Sequence, residues 1–403
     1  MVKVASLFSQ LLNEFPRHEF DALVRRHRVE RGAKGFTSWT QFVAMLFCQV
    51  AKADSLREIC NGLSCCLGKL VHLGVMNAPK RSTLSYANAH RPACFFEDLF
   101  WSAMSRFREK EGGMGGRKPK FRFKNKLLSM DTTVISFCLS LFPWAKYQQS
   151  KGAVKAHVVL DHQDYMPDYI RITHGKTSDV DVARTLVFNP GSIVVVDRGY
   201  NDYGLFSRWT EHGVWFVTRQ TENAVFEVIE ERDLPINRNI LADQLIRLTG
   251  ARAQGRCQHI FRRIVMWDAQ KGRKLVFLTN HLSFGATTIA SIYKDRWEIE
   301  VFFKTLKQNL KVKTFVGTTE NALLIQIWTA LIAMLLLKWL HHISKAAWSL
   351  SNLASMLRLN LFTYRCLFEW IHNPFGTPPL SPSAQQLSFT FAHFGQPIAS
   401  QRG

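Results

Sequence analysis

The sequence predicts an α/β protein: a mixed-sheet core carrying an inserted β-rich subdomain, preceded by an all-α N-terminal domain. Three observations carry that expectation. Apolar residues recur at three-to-four spacing through roughly the first hundred residues, as amphipathic helices require. Between residues 127 and 219, strand-like stretches alternate with short helical ones. One of them, GSIVVVDRGY, is a continuous apolar run of the kind found in a strand buried on both faces.

Taken in order, residues 1–105 read as helical through SLFSQLLNEF, SWTQFVAMLFCQVA and DSLREICNGLSCCLGKLV, with Asp54 and Ser55 as a start signal for the third. NAPKRSTLSYANAHRP follows. Its Pro-Lys-Arg-Ser start, with Lys80 and Arg81, suits a short recognition helix set into a DNA groove or a surface helix with no partner. Residues 106–126 hold nine Lys or Arg against two Glu, and their glycine pairs break any helix, so they read as a basic linker. Arg117, Lys118 and Lys120, interleaved with Phe121 and Phe123, suit a path along a phosphate backbone.

The core begins with KLLSMDTTVISFCLS, GAVKAHVVLDH and DYIRITHGK, three successive antiparallel strands. SDVDVARTLV is a short helix, GSIVVVDRGY a buried strand, YGLFSRWTEHG a helix and VWFVTRQ a strand. That order, over residues 127–219, is the order of a ribonuclease-H-like mixed sheet. Residues 220–280 then intervene as the β-rich subdomain. Residues 281–345 resume the core, and residues 346–403 form a C-terminal helical region with a Pro- and Ser-rich tail.

A chain of 403 residues is too long for one ordinary core and suggests two or three domains. With 47% hydrophobic residues, burial is not limiting and wholesale disorder is not expected. The net charge of +21, spread along the chain, points to a polyanionic partner touching several regions. The eight cysteines form no paired zinc-type spacing, and the N-terminal stretch has no secretory pattern, so a reduced cytoplasmic protein is expected. Residues 322–340 are about long enough to span a bilayer, but Gln326 lies inside this single apolar segment, and a buried helix of a soluble domain with no membrane partner is the expectation.

The chemistry centres on three acids. Asp131 sits inside the first strand, where a charge is costly without a partner. Asp197 ends the VVVD run, at the carboxyl end of a strand, where open α/β sheets build sites. The third lies in YKDRWEIEVFFKTLKQNL, residues 293–310. At roughly 100° per residue, Tyr293, Arg296, Glu300 and Lys307 fall within about 60° of one another. Ile292, Ile299, Phe302, Phe303, Leu306 and Leu310 occupy a neighbouring arc, while Glu298 and Lys304 point elsewhere. Two strand aspartates and a helix glutamate can form an oxygen cage for Mg²⁺, with Mn²⁺ as a substitute. Two ions about 4 Å apart suit phosphodiester chemistry, and the Arg and Lys would neutralise neighbouring phosphates.

These residues resemble the DDE transposases of bacterial insertion sequences, in the fourth insertion-sequence group. The Tyr-x2-Arg-x3-Glu-x6-Lys signature of that group is matched at every interval by Tyr293, Arg296, Glu300 and Lys307. SMDTTVIS resembles the family's first-Asp strand and VVVDRGYNDY its second, and the resemblance extends roughly to residue 345. It implies metal-dependent cleavage of double-stranded DNA at the terminal inverted repeats, then joining of the freed 3′-hydroxyls to target DNA. In this group the ends can pass through a hairpin. Asp131, Asp197 and Glu300 would be catalytic metal ligands, with Tyr293, Arg296 and Lys307 on end DNA. The resemblance also implies a homodimer in the synaptic complex, nucleoid-associated in a bacterium. An aromatic in the β-insert would hold a flipped base; Trp267 is a candidate for this, or a residue that stacks within its hairpin.

Asp161, Asp164, Asp168, Asp179 and Asp181 flank strand ends and a helix start, where turn and capping roles account for them. His341 and His342 lack further ligands at zinc spacing. Competing readings are an inactive regulatory DNA-binding protein derived from such an element, and a related nuclease that cuts without joining.

Overall fold

The computed structural model describes residues 5–33, 35–66, 68–110, 114, 120–138, 146–148, 151–236, 238–251, 253, 255–309 and 316–379. The chain divides into two compact units, Met1–Ala87 with Leu336–Gly403, and Asn88–Leu335.

The first unit is helical among its described residues. It holds α1 (Leu7–Leu12), α2 (Arg17–His27), α3 (Ser38–Ala51) and α4 (Leu56–Ser64), and α5 (Arg81–His90) begins in it. Helix α3 is buried from Ser38 to Val50 because it is apolar on nearly every side. The expected start of α4 is a capping box: Ser55 accepts from the Glu58 amide at 3.2 Å, and Glu58 accepts from the Asp54 amide at 2.8 Å.

The second unit opens with α6 (Cys94–Glu109), so the helix runs four residues into the stretch expected as linker. The strands follow as β1 (Leu127–Cys138), β2 (Lys146–Gln148), β3 (Lys151–Asp161) and β4 (Met166–His174). Next come α7 (Asp179–Thr185), β5 (Ile193–Val196), α8 (Tyr203–Glu211) and β6 (Trp215–Arg219). Strand β3 pairs antiparallel with β1 and β4, while β1, β5 and β6 run parallel. This is the ribonuclease-H-like order, β4-β3-β1-β5-β6.

The β-rich insertion consists of β7 (Phe226–Glu231), β8 (Ile240–Leu248), β9 (Ile260–Asp268) and β10 (Arg273–Thr279). It continues the same sheet, because β10 pairs antiparallel with β6 and the order runs on through β9 and β8 to β7. The edge that β6 would otherwise expose is thereby paired.

Side-chain alternation divides the sheet into two faces. Leu128, Met130, Val194, Val196 and Phe216 enter one core, with Val182, Leu205, Phe206 and Trp209 from α7 and α8. Leu127, Ile193, Val195 and Val217 enter the other, with Ala286, Ile289 and Ile292 of α9 (Ala286–Asp295). Helix α10 (Trp297–Asn309) packs against β1 on that second side. Phe121 and Phe123 also belong to the second core: they stack on each other at 5.1 Å, and Phe123 stacks on Phe284 at 5.0 Å. These two linker aromatics therefore anchor the chain to the sheet instead of lying open to a nucleic acid.

The long apolar segment forms α11 (Glu320–Ile343), followed by α12 (Leu350–Asn360) and α13 (Leu367–His372). Helix α11 is long and apolar enough to cross a membrane, yet 89% of its most apolar window is buried inside the protein.

Candidate active site

Register and alternation bring the two aspartates together. Residues 127, 129 and 131 share one face of β1, and residues 193, 195 and 197 share the same face at β5, the side covered by α9. In the parallel β1–β5 ladder Met130 lies opposite Val196, so the next step sets Asp131 beside Asp197. Asp197 is fixed by the turn that follows: its Oδ1 accepts from the Gly199 amide at 2.8 Å. A Cβ on Gly199 would come to 3.0 Å from that oxygen, so a side chain there would crowd the carboxylate. The Asp131 Oδ1 accepts from the Thr132 amide at 2.7 Å.

The helix reading needs one refinement. Residues 293–309 are two helices that meet at Arg296, which caps the C-terminus of α9 and precedes α10. From that junction the Arg296 guanidinium donates to Asp131 Oδ2 at 3.0 Å and to Glu300 Oε1 at 3.5 Å. One arginine thus stands between a strand aspartate and a helix glutamate 169 positions apart in sequence. Ile299, Phe302, Phe303 and Leu306 are buried, as the apolar arc requires; Leu310 lies outside the described residues.

The electrostatics reflect crowded carboxylates. Burial pushes Asp131 up to about 7; the Thr132 amide and Arg296 oppose that rise, and the charges of Asp197 and Glu300 add to it. Burial likewise raises the Tyr293 hydroxyl above the usual phenol range, against the lowering pull of Arg296 and Arg219. Tyr293 therefore remains a hydrogen-bond donor at neutral pH. Its ring packs on Phe277 at 5.2 Å, and the Arg296 guanidinium lies 5.7 Å from its centre.

Among the described residues, no three His, Cys, Asp or Glu side chains are grouped closely enough to hold a metal ion as they stand. The donor set nevertheless suits a hard divalent cation: the three acids supply only oxygens, and Asp131 is disfavoured as an uncompensated anion. His341 and His342 are exposed, and His341 contacts the Trp348 carbonyl at 2.8 Å.

The remaining candidates separate. Lys307 is half-buried on α10, two turns beyond Glu300. Lys120 is ion-paired with Asp295. Trp267 is 39% exposed on β9, and alternation from Phe261 puts it on the sheet face opposite Asp131 and Asp197. Lys80 and Arg81 are exposed at the start of α5 in the first unit, while Arg117 and Lys118 lie outside the described residues. Of the competing acids, Asp161 and Asp164 accept turn amides from Gln163 and Met166, both at 2.9 Å. Asp164 and Asp168 also pair with Arg108 and Lys126 respectively, and Asp179 with Lys155.

The sequence reading missed Arg219. It ends β6 on the same face as Trp215 and Val217, close enough to lower the Tyr293 pKa, and its buried Nε has no hydrogen-bond partner among the described residues. Its position at the end of the strand next to β5 was the available signal.

Comparison with known proteins identifies the family. Residues 122–336 match the transposase DDE domain, and residues 3–76 match a domain of unknown function, DUF4372. A protein named as a transposase in Sinorhizobium fredii is 28% identical over 330 residues, covering 78% of this chain and 87% of its own. The protein named as transposase for insertion sequence element IS5377 in Geobacillus stearothermophilus is 31% identical, covering 62% of this chain and 66% of its own. Transposase InsG for insertion sequence element IS4 of Escherichia coli is 22% identical, covering 41% of this chain and 38% of its own. The matched domain spans more than half of the sequence and both strands that carry the aspartates, and on that ground the chain belongs to the DDE-domain transposases of insertion sequences.

Proposed function

We propose that this transposase cleaves DNA at the terminal inverted repeats of its own insertion sequence and joins the freed 3′-hydroxyls to target DNA. The observation that supports the reading is that Asp131 and Asp197 are neighbours on one sheet face while Arg296 bonds both Asp131 and the helix residue Glu300. Asp131, Asp197 and Glu300 would hold Mg²⁺ or Mn²⁺. When bound, such ions supply the charge that activates an attacking oxygen and stabilises the leaving one.

The chain's own residues supply the rest. Arg296 and Lys307 offset the charge of phosphates near the scissile bond. Tyr293, protonated at neutral pH, donates a hydrogen bond to the same backbone. Arg219 adds a second guanidinium at the carboxyl end of β6. Lys80 and Arg81, exposed at a helix start, suit phosphate contacts that set the register on end DNA. Engagement of two ends implies a dimer in the synaptic complex.

The test uses a linear fragment carrying the inverted repeats that flank the reading frame. The wild type should cut at the repeat ends in Mg²⁺ and produce joined products in a target plasmid. Glu300→Gln should bind the fragment and leave it intact. Full cleavage by Glu300→Gln would overturn the assignment; cleavage by the wild type without joined products would favour a nuclease.

A further inference from the structure

Beside the carboxylates lies a second buried polar array. Ser129 Oγ is 2.6 Å from His162 Nε2, and His162 Nδ1 is 2.5 Å from Asp295 Oδ2. Tyr165 donates to the same carboxylate oxygen at 3.3 Å, and Lys120 binds the other one. Ser129, His162 and Asp295 are 0%, 7% and 3% exposed. With Nδ1 carrying the proton toward the carboxylate, Nε2 is left to accept from the Ser129 hydroxyl. The same order of groups activates a serine nucleophile in acyl transfer, but Ser129 is fully enclosed in a central strand and meets no substrate.

Position in the chain gives the array its meaning. Ser129 lies two residues before Asp131 on the same face of β1. Asp295 is the last residue of α9, next to Arg296 and five residues before Glu300. An acid at a helix C-terminus opposes the helix dipole, and a buried polar chain adds less stability than apolar packing of the same volume. The core beneath it is apolar, with Leu127, Ile193, Val195 and Val217. Fold stability alone therefore does not call for these residues.

We infer that Ser129, His162 and Asp295, closed by Lys120, form a tether that sets the Arg296–Glu300 segment against β1, making them positioning residues for the three carboxylates. The inference rests on the proposed metal site. It also gives Lys120 a role other than phosphate contact.

The test is Mn²⁺ binding to the full-length chain without DNA, followed by the paramagnetic resonance of free Mn²⁺, with thermal melting measured alongside. Ser129→Ala changes no charge and should weaken Mn²⁺ binding about tenfold, the scale of lost support behind a metal ligand. Lys120→Met is the sharper variant, because Lys120 is 59% exposed and its removal leaves the core packed. Losing a nearby positive charge would by Coulomb attraction tighten Mn²⁺ binding; the tether predicts weaker binding, restored by Lys120→Arg. Asp131→Asn is the control for the metal site itself. If binding survives Asp131→Asn, the carboxylate reading fails and the tether with it. If Asp131→Asn abolishes binding while folded Ser129→Ala stays within twofold of wild type, or Lys120→Met binds more tightly, the tether alone is overturned.

Discussion

Asp131→Asn should stabilise the metal-free protein at alkaline pH. The Asp131 side chain is 14% exposed, and its carboxyl titrates at about 7 in the fold against an ordinary value of 3.8. A carboxyl whose folded pKa lies above its unfolded one makes the folded state bind more protons across the interval. Stability is therefore intact below about pH 4 and is lost as pH rises to about 7. Three pH units at about 1.4 kcal/mol each set a ceiling of about 4 kcal/mol. The opposing pull of Arg296 is already contained in that shift. Urea unfolding in EDTA at pH 8.5 should find Asp131→Asn more stable than wild type by up to this amount, with the gap smaller by about 2–3 kcal/mol at pH 5. Millimolar Mg²⁺ should then narrow the gap at pH 8.5, because only the wild type gains from the bound cation. A variant less stable than wild type at pH 8.5, or a gap independent of pH, would refute the reasoning.

Other consequences are testable on the same protein. Phe216 is fully buried and stacked on Phe206 at 4.2 Å, so Phe216→Ala should cost about 3–5 kcal/mol in chemical denaturation. Arg262 and Asp243 form a buried pair at 2.6 Å inside the insertion; Arg262→Met should cost about 3–5 kcal/mol, and adding Asp243→Leu should recover most of it. His157 is enclosed between Thr132 and Thr173, and burial lowers its pKa from 6.5 to about 4. Its contribution is complete above pH 6.5 and is lost as pH falls toward 4, by about 3 kcal/mol; His157→Gln should flatten the acid limb of a melting-temperature profile. Replacing Lys80 and Arg81 together by Ala should weaken end binding and reduce the salt slope of log affinity by about 2.

How much of this was legible follows from the range of each signal. The order of β1, β3, β4, β5 and β6 could be read because strands buried on one face alternate and those buried on both are continuous, which needs only local sequence; the three-residue β2 was too short to show either pattern. The stripe of Tyr293, Arg296 and Glu300 followed from helical arithmetic over eight residues. The break at Arg296 did not, because it accompanies Asp295 turning into a buried contact with His162, 133 residues away. The same holds for Lys120, Phe121 and Phe123: their composition suited a phosphate path, while their partners Asp295 and Phe284 lie more than 150 residues downstream. Trp267 shows another limit. Which face a strand residue takes depends on pairing with neighbours, and alternation from Phe261 sets it away from the carboxylates.

Three distant chain segments should share one cation. Full-length protein incubated with Fe²⁺, ascorbate and peroxide suffers backbone scission near the bound iron, which mass spectrometry can map. Cuts clustered together around residues 131, 197 and 300, suppressed by excess Mg²⁺ and absent in Asp197→Asn, are the predicted result. Scission elsewhere, or cuts at these segments that persist in Asp197→Asn, would contradict it.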